Sequence, residues 1–319
     1  MSFAKRRINL DFQLGTNPAG QQVVFEGTNS DTVSLTGLKV TATISKSGGL
    51  ANPYLQLSVY GMTLSQMNQL SILGKPIIGV RANNITVTAG DDVSGMSVVF
   101  SGTITESWAA MSGAPNTCLT VSAVGGLIDL ARPIPPSSYR GPADVATIMA
   151  GLADQMKIGF VNNGVSVMLS NPYYPGTAVD QMRAAAADAN IHAVIDDASP
   201  AVGPSGASPQ GVGQVGKVLA IWPMGGSREG LSPLISAATG MVGYPTCTQS
   251  GIVVRMLYNP SVVIGGVINV ESDLTVATAP WYVFSLTQDL ESETPGGAWY
   301  TTVEGSQLGH TPPIAPTAA

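Results

Sequence analysis

Apolar and polar positions alternate through the first third of the chain. Ile8, Leu10, Phe12 and Leu14 are interleaved with Asn9, Asp11 and Gln13, the period-two pattern of a strand with one buried face. Val33, Leu35, Leu38, Val40, Ala42 and Ile44 repeat the pattern with a slip of phase at Gly37, which predicts one strand bulged at that glycine. Ser47-Gly48-Gly49 predicts a turn, and Tyr54 to Tyr60 a returning strand with Leu55, Leu57 and Val59 on one face. Thr63 is placed to N-cap a short helix carrying Leu64, Met67, Leu70 and Leu73 on one side. Further strands are predicted over 22–27, 77–81, 85–88, 97–107 and 117–123, with Ala89-Gly90-Asp91-Asp92 as a turn. Many short strands punctuated by turns predict a barrel or sandwich.

The pattern then changes. Pro133-Ile134-Pro135-Pro136 forbids both helix interior and sheet ladder and marks a boundary. Asp144 caps a predicted helix with Val145, Ile148, Met149, Leu152 and Met156 on one face, and Thr177 opens a second over 178–189. Strands are predicted over 164–170 and 191–195, giving a small α+β module. Residues 218–222 read as a strand forming a hairpin with 191–195, its tip the Pro/Gly/Ser/Ala loop 198–216, which composition predicts to be disordered. Beyond Met241 the chain is β again, over 252–258, 262–270, 281–289 and 298–303, the last two a hairpin with Asp289, Glu291 and Glu293 at its tip. The fold class is therefore mainly β with an α+β insert. The expected domains are 1–132, 133–240 and 241–306, followed by a Pro- and Ala-rich disordered tail, 307–319.

Composition changes the picture in one respect. Only 11% of the 319 residues are charged while 44% are apolar, against roughly a quarter charged in an ordinary soluble domain. A surface so poor in charge is expected to lie against partners, which reads as an assembly component. The formal net charge of −6 disfavours a general nucleic-acid binder, and Lys5-Arg6-Arg7 is the one basic cluster, read as a solvated terminus. No run of about 18 apolar residues predicts a membrane span, and no apolar core follows the basic start as in a signal peptide. Cys118 and Cys247 lack any pairing pattern and read as two buried free thiols.

Candidate chemistry is thin. Gly211, Gly213 and Gly216 match a dinucleotide-loop spacing, and Gly211, Gly216 and Lys217 a P-loop spacing. Both motifs need a strand before and a helix N-terminus after; here a β-like run follows, and Val218 stands where a magnesium-binding Ser or Thr belongs. His192 and His310 are the two histidines, without a nucleophile elbow or a metal-ligand cluster beside them. Asp91-Asp92 reads as turn chemistry and Asp196-Asp197 as a solvated pair at a hairpin end. Trp108, Trp222, Trp281 and Trp299 sit on predicted strands and read as core or subunit-contact residues rather than base-stacking platforms. No catalytic, cofactor-binding or metal-binding residue is assigned, no cofactor is expected, and the chain is read as no enzyme.

Several short stretches resemble the baseplate hub proteins of contractile-tailed phages, related to the hub and spike proteins of contractile injection systems. They are Arg7-Ile8-Asn9-Leu10, Tyr60-Gly61-Met62-Thr63, Gly90-Asp91-Asp92, Ala143-Asp144-Val145, Ser170-Asn171-Pro172-Tyr173, Trp222-Pro223, Gly240-Met241-Val242-Gly243-Tyr244-Pro245, Tyr258-Asn259-Pro260 and the run from Asp289 to Trp299. The resemblance implies two tube-like β-barrel regions flanking the α+β module, and a homotrimeric ring matching a hexameric tail tube to a trimeric spike. It also implies tube, spike and other baseplate proteins as partners, and a place in the virion after synthesis in the host cytoplasm. An acidic lumen would let DNA pass without specific binding. The alternatives are a tail-tube subunit, a β-rich adhesin or, third, a cell-wall hydrolase domain.

Overall fold

The computed structural model describes residues 5–17, 20–71, 82–93, 95–126, 134–197 and 216–307. In chain order the elements are β1 (Arg6–Gln13), β2 (Thr32–Leu35), β3 (Val40–Ser47), β4 (Tyr54–Tyr60), α1 (Leu64–Leu70), β5 (Asn84–Asp91), β6 (Gly95–Ala110) and β7 (Cys118–Val124). Then follow β8 (Ser137–Ser138), β9 (Pro142–Asp144), α2 (Val145–Met156), β10 (Gly159–Asn162), β11 (Met168–Ser170), β12 (Tyr173–Tyr174), α3 (Ala178–Asp188), β13 (Ile191–Asp197) and β14 (Lys217–Pro223). Last come β15 (Leu234–Ile235), β16 (Thr246–Thr248), β17 (Gly251–Leu257), β18 (Val267–Val270), β19 (Ala279–Ser292) and β20 (Trp299–Gln307). The protein is mainly β, with an α+β insert, as its residue pattern predicts.

The chain forms two compact units. The first contains residues 1–45, 52–128 and 288–300. Its sheet runs β2-β1-β5-β6-β7-β4-β3, all antiparallel in the registers described. The alternation read from the chain is what buries it: Leu10 faces Val87, Val87 faces Phe100, and Leu57 sits between Ala42 and Val121. These side chains are all within 2% of complete burial. Register shifts at Val87/Thr88 and Ile104/Glu106 place extra residues in the sixteen-residue β6, and such bulges bend and twist a long strand. Among the described residues no ladder joins β2 to a further strand and closes the sheet into a ring. Helix α1 is held by a capping box between Thr63 and Gln66 and buries Met67 and Leu70; Leu64 faces solvent.

The second unit contains residues 46–51, 129–287 and 301–319. A three-stranded sheet, β10-β14-β13, lies at its centre, parallel between β10 and β14 and antiparallel between β14 and β13. Leu219, Ile221, Ile191 and Ala193 pack with Ile148, Met149 and Leu152 of α2 and Met182 and Ala185 of α3. The opposite face, Val194, Ala220 and Trp222, packs on residues of a β layer including Ile252, Val254, Ile268, Val283 and Val303. In that layer the order is β16-β17-β20-β19, with β18 pairing both β19 and β15. Buried Gln181 of α3 ties the preceding segment down through Ser137 and the carbonyls of Pro135 and Gly176.

Several predicted strands differ, each for a local reason. Gly37, at φ +71°, breaks the strand predicted over 33–45 into β2 and β3 rather than bulging it. Residues 22–27 form no strand: Phe25 bonds to Ser30 and Thr28 in a local turn, leaving one bridge, Thr16 to Gln22. The turn expected at 89–92 comes later, because β5 continues to Asp91. Over 164–170 only β11 forms, since the Asn162 side chain captures both backbone groups of Val165. Over 262–270 the pair Gly265-Gly266 turns the chain, and the strand is only β18. The strand predicted over 77–81, most of the loop 198–216 and nearly all of the tail 307–319 lie outside the described residues.

The cap of α3 offers a direct check. Thr177 accepts from the Asp180 N–H while Asp180 accepts from the Thr177 N–H. Thr177→Ala is expected to cost ~1 kcal/mol and to lower the calorimetric melting temperature by about 2 °C; an unchanged melting temperature contradicts a structural role for the cap.

Candidate functional site

Charge is scarce in this sequence, yet four charged side chains gather inside the second unit. Lys46 lies near the end of β3, Asp196 and Asp197 end β13, and Arg228 sits in the loop after β14. The Lys46 ammonium lies 3.0 Å from Asp196 Oδ1 and 3.9 Å from Asp197 Oδ2. Arg228 Nη1 lies 3.4 Å from Asp196 Oδ2 and donates to the Ile264 carbonyl at 3.0 Å. Both aspartates are buried, at 8% and 7% exposure, which corrects the expectation of a solvated pair. Two carboxylates can be buried together here because a buried cation, Arg228, and a largely covered one, Lys46, whose side chain is 13% exposed, balance their charge.

The electrostatics follow from that balance. Burial alone would push the Lys46 ammonium down, but the Asp196 and Asp197 carboxylates outweigh it and hold it above the ordinary 10.5. Burial alone would push Asp196 up, but Lys46 and Arg228 outweigh it and hold the carboxyl below the ordinary 3.8. Lys46 therefore stays protonated and Asp196 ionised at neutral pH, and neither is poised as a general acid or base.

The surroundings hold Arg228 by shape as well as charge. Its backbone N–H donates to the Gly265 carbonyl at 2.7 Å. Gly265 has φ +80°, and a Cβ there would stand 2.4 Å from the Trp222 ring and 3.0 Å from Arg228 Cδ. Asn163 bonds the Ile221 carbonyl and accepts from the Glu229 N–H, fixing the next residue to β14.

The other sequence candidates are dispersed. His192 is half-buried and stacked against Trp222 at 5.5 Å, with Tyr282 at 5.8 Å. Burial pushes its imidazole down and the Tyr282 phenol up to about 12. Gly216 is followed by strand β14, not by the helix a phosphate loop requires; Gly211, Gly213 and His310 lie outside the described residues. Asp91 accepts from the Val93 N–H as turn chemistry, and Asp92 pairs with Arg7 at 3.2 Å in the open. The basic cluster is engaged within the first unit: Lys5 pairs with Glu293 at 2.6 Å and Arg6 lies over the Trp299 ring. Cys118 is half-buried and Cys247 exposed, so the expected burial of both thiols is corrected. Trp222, Trp281 and Trp299 are core residues, whereas Trp108 is 45% exposed. Among the described residues no group of three or more His, Cys, Asp or Glu could hold a metal ion, and no helix is long and apolar enough to cross a membrane.

Residues 225–305 match the model of the family described as baseplate hub gp41, and the resemblance read from the sequence is shown over that stretch. The fold is similar to that of the 43 kDa tail protein of prophage MuSo2 from Shewanella oneidensis, with TM-score 0.54 and 10% identity, covering 95% of this chain and 97% of that one. The E. coli c3393 protein, described as a type VI secretion component similar to the T4 tail proteins gp27 and gp5, gives TM-score 0.54 and 10% identity over 91% of this chain and 78% of that one. A chain of the half-lidded Francisella PdpA–VgrG complex gives TM-score 0.57 and 7% identity, covering all of this chain and 61% of that one. At such identities the structural likeness establishes the fold alone. No curated protein sequence matches the chain.

Sequence reasoning missed the charge cluster because its members are contributed by residues 46, 196–197 and 228, and no local spacing links them. Adjacent acidic residues ending an otherwise apolar strand were the available signal. Lys46→Met removes one cation from beside two buried carboxylates and is expected to cost ~3–5 kcal/mol in denaturant unfolding. Asp196 contributes stability that is present above its unfolded pKa and lost as pH falls through its lowered folded value. Lys46 contributes stability that is present below its unfolded pKa and lost as pH rises through its raised folded value. Unfolding free energy should therefore stay flat between the ordinary values of 3.8 and 10.5 as far as this cluster is concerned. Lys46→Met should lose the alkaline limb. Gly265→Ala is expected to cost at least about 2 kcal/mol through overpacking against Trp222; a neutral effect contradicts the close approach.

Proposed function

We propose that this chain is a structural baseplate hub subunit of a contractile phage tail, three copies of which form a ring adapting a hexameric tail tube to a trimeric spike. The observation that carries the proposal is the match of residues 225–305 to the baseplate hub gp41 family. It lies within a fold like that of a phage tail protein over 95% of the chain. The charge-poor composition supports it, since a surface with 11% charged residues suits burial against neighbours. So does the four-charge cluster, whose carboxylate and ammonium are held in fixed ionisation states rather than tuned for proton transfer.

On this reading residues 1–132 and 241–306 supply the tube-like β regions, 133–240 the α+β module and 307–319 a tail. The partners are tube, spike and other baseplate proteins in the virion, and DNA crosses an acidic lumen without specific binding. The chain has no catalytic role. The second reading is another tail structural protein such as a tube subunit, and the Shewanella neighbour, covered over 97% of its length, is described only as a tail protein.

Native mass measurement of the purified assembly separates the two. The hub reading expects a mass three times the 32.7 kDa of one chain, and incubation with assembled tail tubes should cap their ends. Six chains per ring indicates a tube subunit. A lone monomer, or turnover of peptidoglycan, overturns the proposal.

A further inference from the structure

We propose that the buried Lys46–Asp196–Arg228 cluster sets the register in which β13 pairs with β14. A hairpin normally takes its register from its turn, because a two-residue loop permits one alignment. Here the connection between Asp197 and Lys217 is residues 198–216, and a connection of that length selects no alignment by itself.

The apolar pattern does not select it either. Alternation fixes register where one face is buried and the other wet. Both faces of this hairpin are covered: Val194, Ala220 and Trp222 on one side and Ile191, Ala193, Leu219 and Ile221 on the other. A slip of two residues would keep every side chain on its face and set Ile191 against Ile221, Ala193 against Leu219 and Val194 against Val218, apolar on apolar. Trp222 over Gly265 anchors β14, and the one ring on β13, His192, is only half-buried where it stacks on Trp222 beside Tyr282. What β13 carries is Asp196, bonded to Lys46 of β3 and to Arg228, which is itself tied to Ile264 and Gly265. A slipped β13 would carry this carboxylate away from both cations and leave Lys46 and Arg228 without the counter-charge they share. That is the costliest outcome available to a two-residue slip. A single buried polar group that selects one alignment is the best-attested use of interior charge.

The test is cross-linking in the 319-residue chain with Cys118→Ser and Cys247→Ser. Val194 is opposite Ala220, so V194C with A220C reports the native register, while V194C with V218C reports a two-residue slip, the diagonal distance being too long for a disulfide otherwise. In the parent the native pair should cross-link and the slipped pair should not. In the charge-free variant Lys46→Met/Asp196→Leu/Arg228→Met the slipped cross-link should rise at least about tenfold, equivalent to about 1.4 kcal/mol. Asp196→Asn, which keeps the shape, should raise it in the same direction. If either variant folds and cross-links only in the native register, the proposal fails. If both lose structure with no slipped product in the folded fraction, the cluster supplies stability rather than register, and the proposal fails equally.

Discussion

Strand β14 is buried on both faces, and much of the second unit follows from that constraint. Leu219 and Ile221 face the helices while Ala220 and Trp222 face the β layer, with each of the four at most 1% exposed. A strand in that position cannot show polar alternation, and it reads as an unbroken apolar run. It also cannot be solvated between Val218 and Trp222, so its neighbours must supply the backbone's polar partners there. Asn163 does this at the Ile221 carbonyl, and β13 and β10 do it along the two edges. The space for Trp222 exists only because Gly265 has no side chain. Strand, tryptophan and glycine are therefore one packing decision made at three distant positions.

The economy of charge belongs to the same constraint. With so few ionisable residues in the chain, placing four of them together inside the second unit is costly, since each gives up hydration that neighbouring dipoles only partly restore. Replacing such a cluster by apolar residues of equal volume is often neutral or stabilising. Its presence is thus poorly explained by stability. It is better explained by discrimination among alignments that apolar packing treats as nearly equal.

Much of this fold could be read from residue order, and the exceptions share a cause. Strand β4, helices α2 and α3 with their caps at Asp144 and Thr177, and the pairing of β13 with β14 all follow from periodicity and capping chemistry in contiguous stretches. The parallel pairings of β10 with β14 and β15 with β18 were not legible. Those strands are four residues or fewer on one side, too short to show a period, and parallel partners are joined through distant chain. The shortened strand at 168–170 was hidden because Asn162 reaches forward to Val165, a side-chain choice that competes with the ladder and leaves the apolar pattern intact. Asp196 and Asp197 were misread for the same reason: an acidic pair looks solvated until Lys46 and Arg228 are brought to it by the fold.

The way the two units share the chain bears on how the family match should be understood. Strand β19 begins in the second unit and ends in the first, and β20 begins in the first and ends in the second. Strand β3 likewise contributes to both, with Lys46 as its first residue in the second unit. The matched stretch 225–305 contains Arg228, Gly265 and all of β19, so it takes in parts of both units and is not a module that could be cut out. Its Arg228 is neutralised by a residue outside it, Asp196, and its Gly265 makes room for Trp222, also outside it. The residues that balance Arg228 and fill the space at Gly265 are therefore supplied by parts of the chain outside the matched stretch.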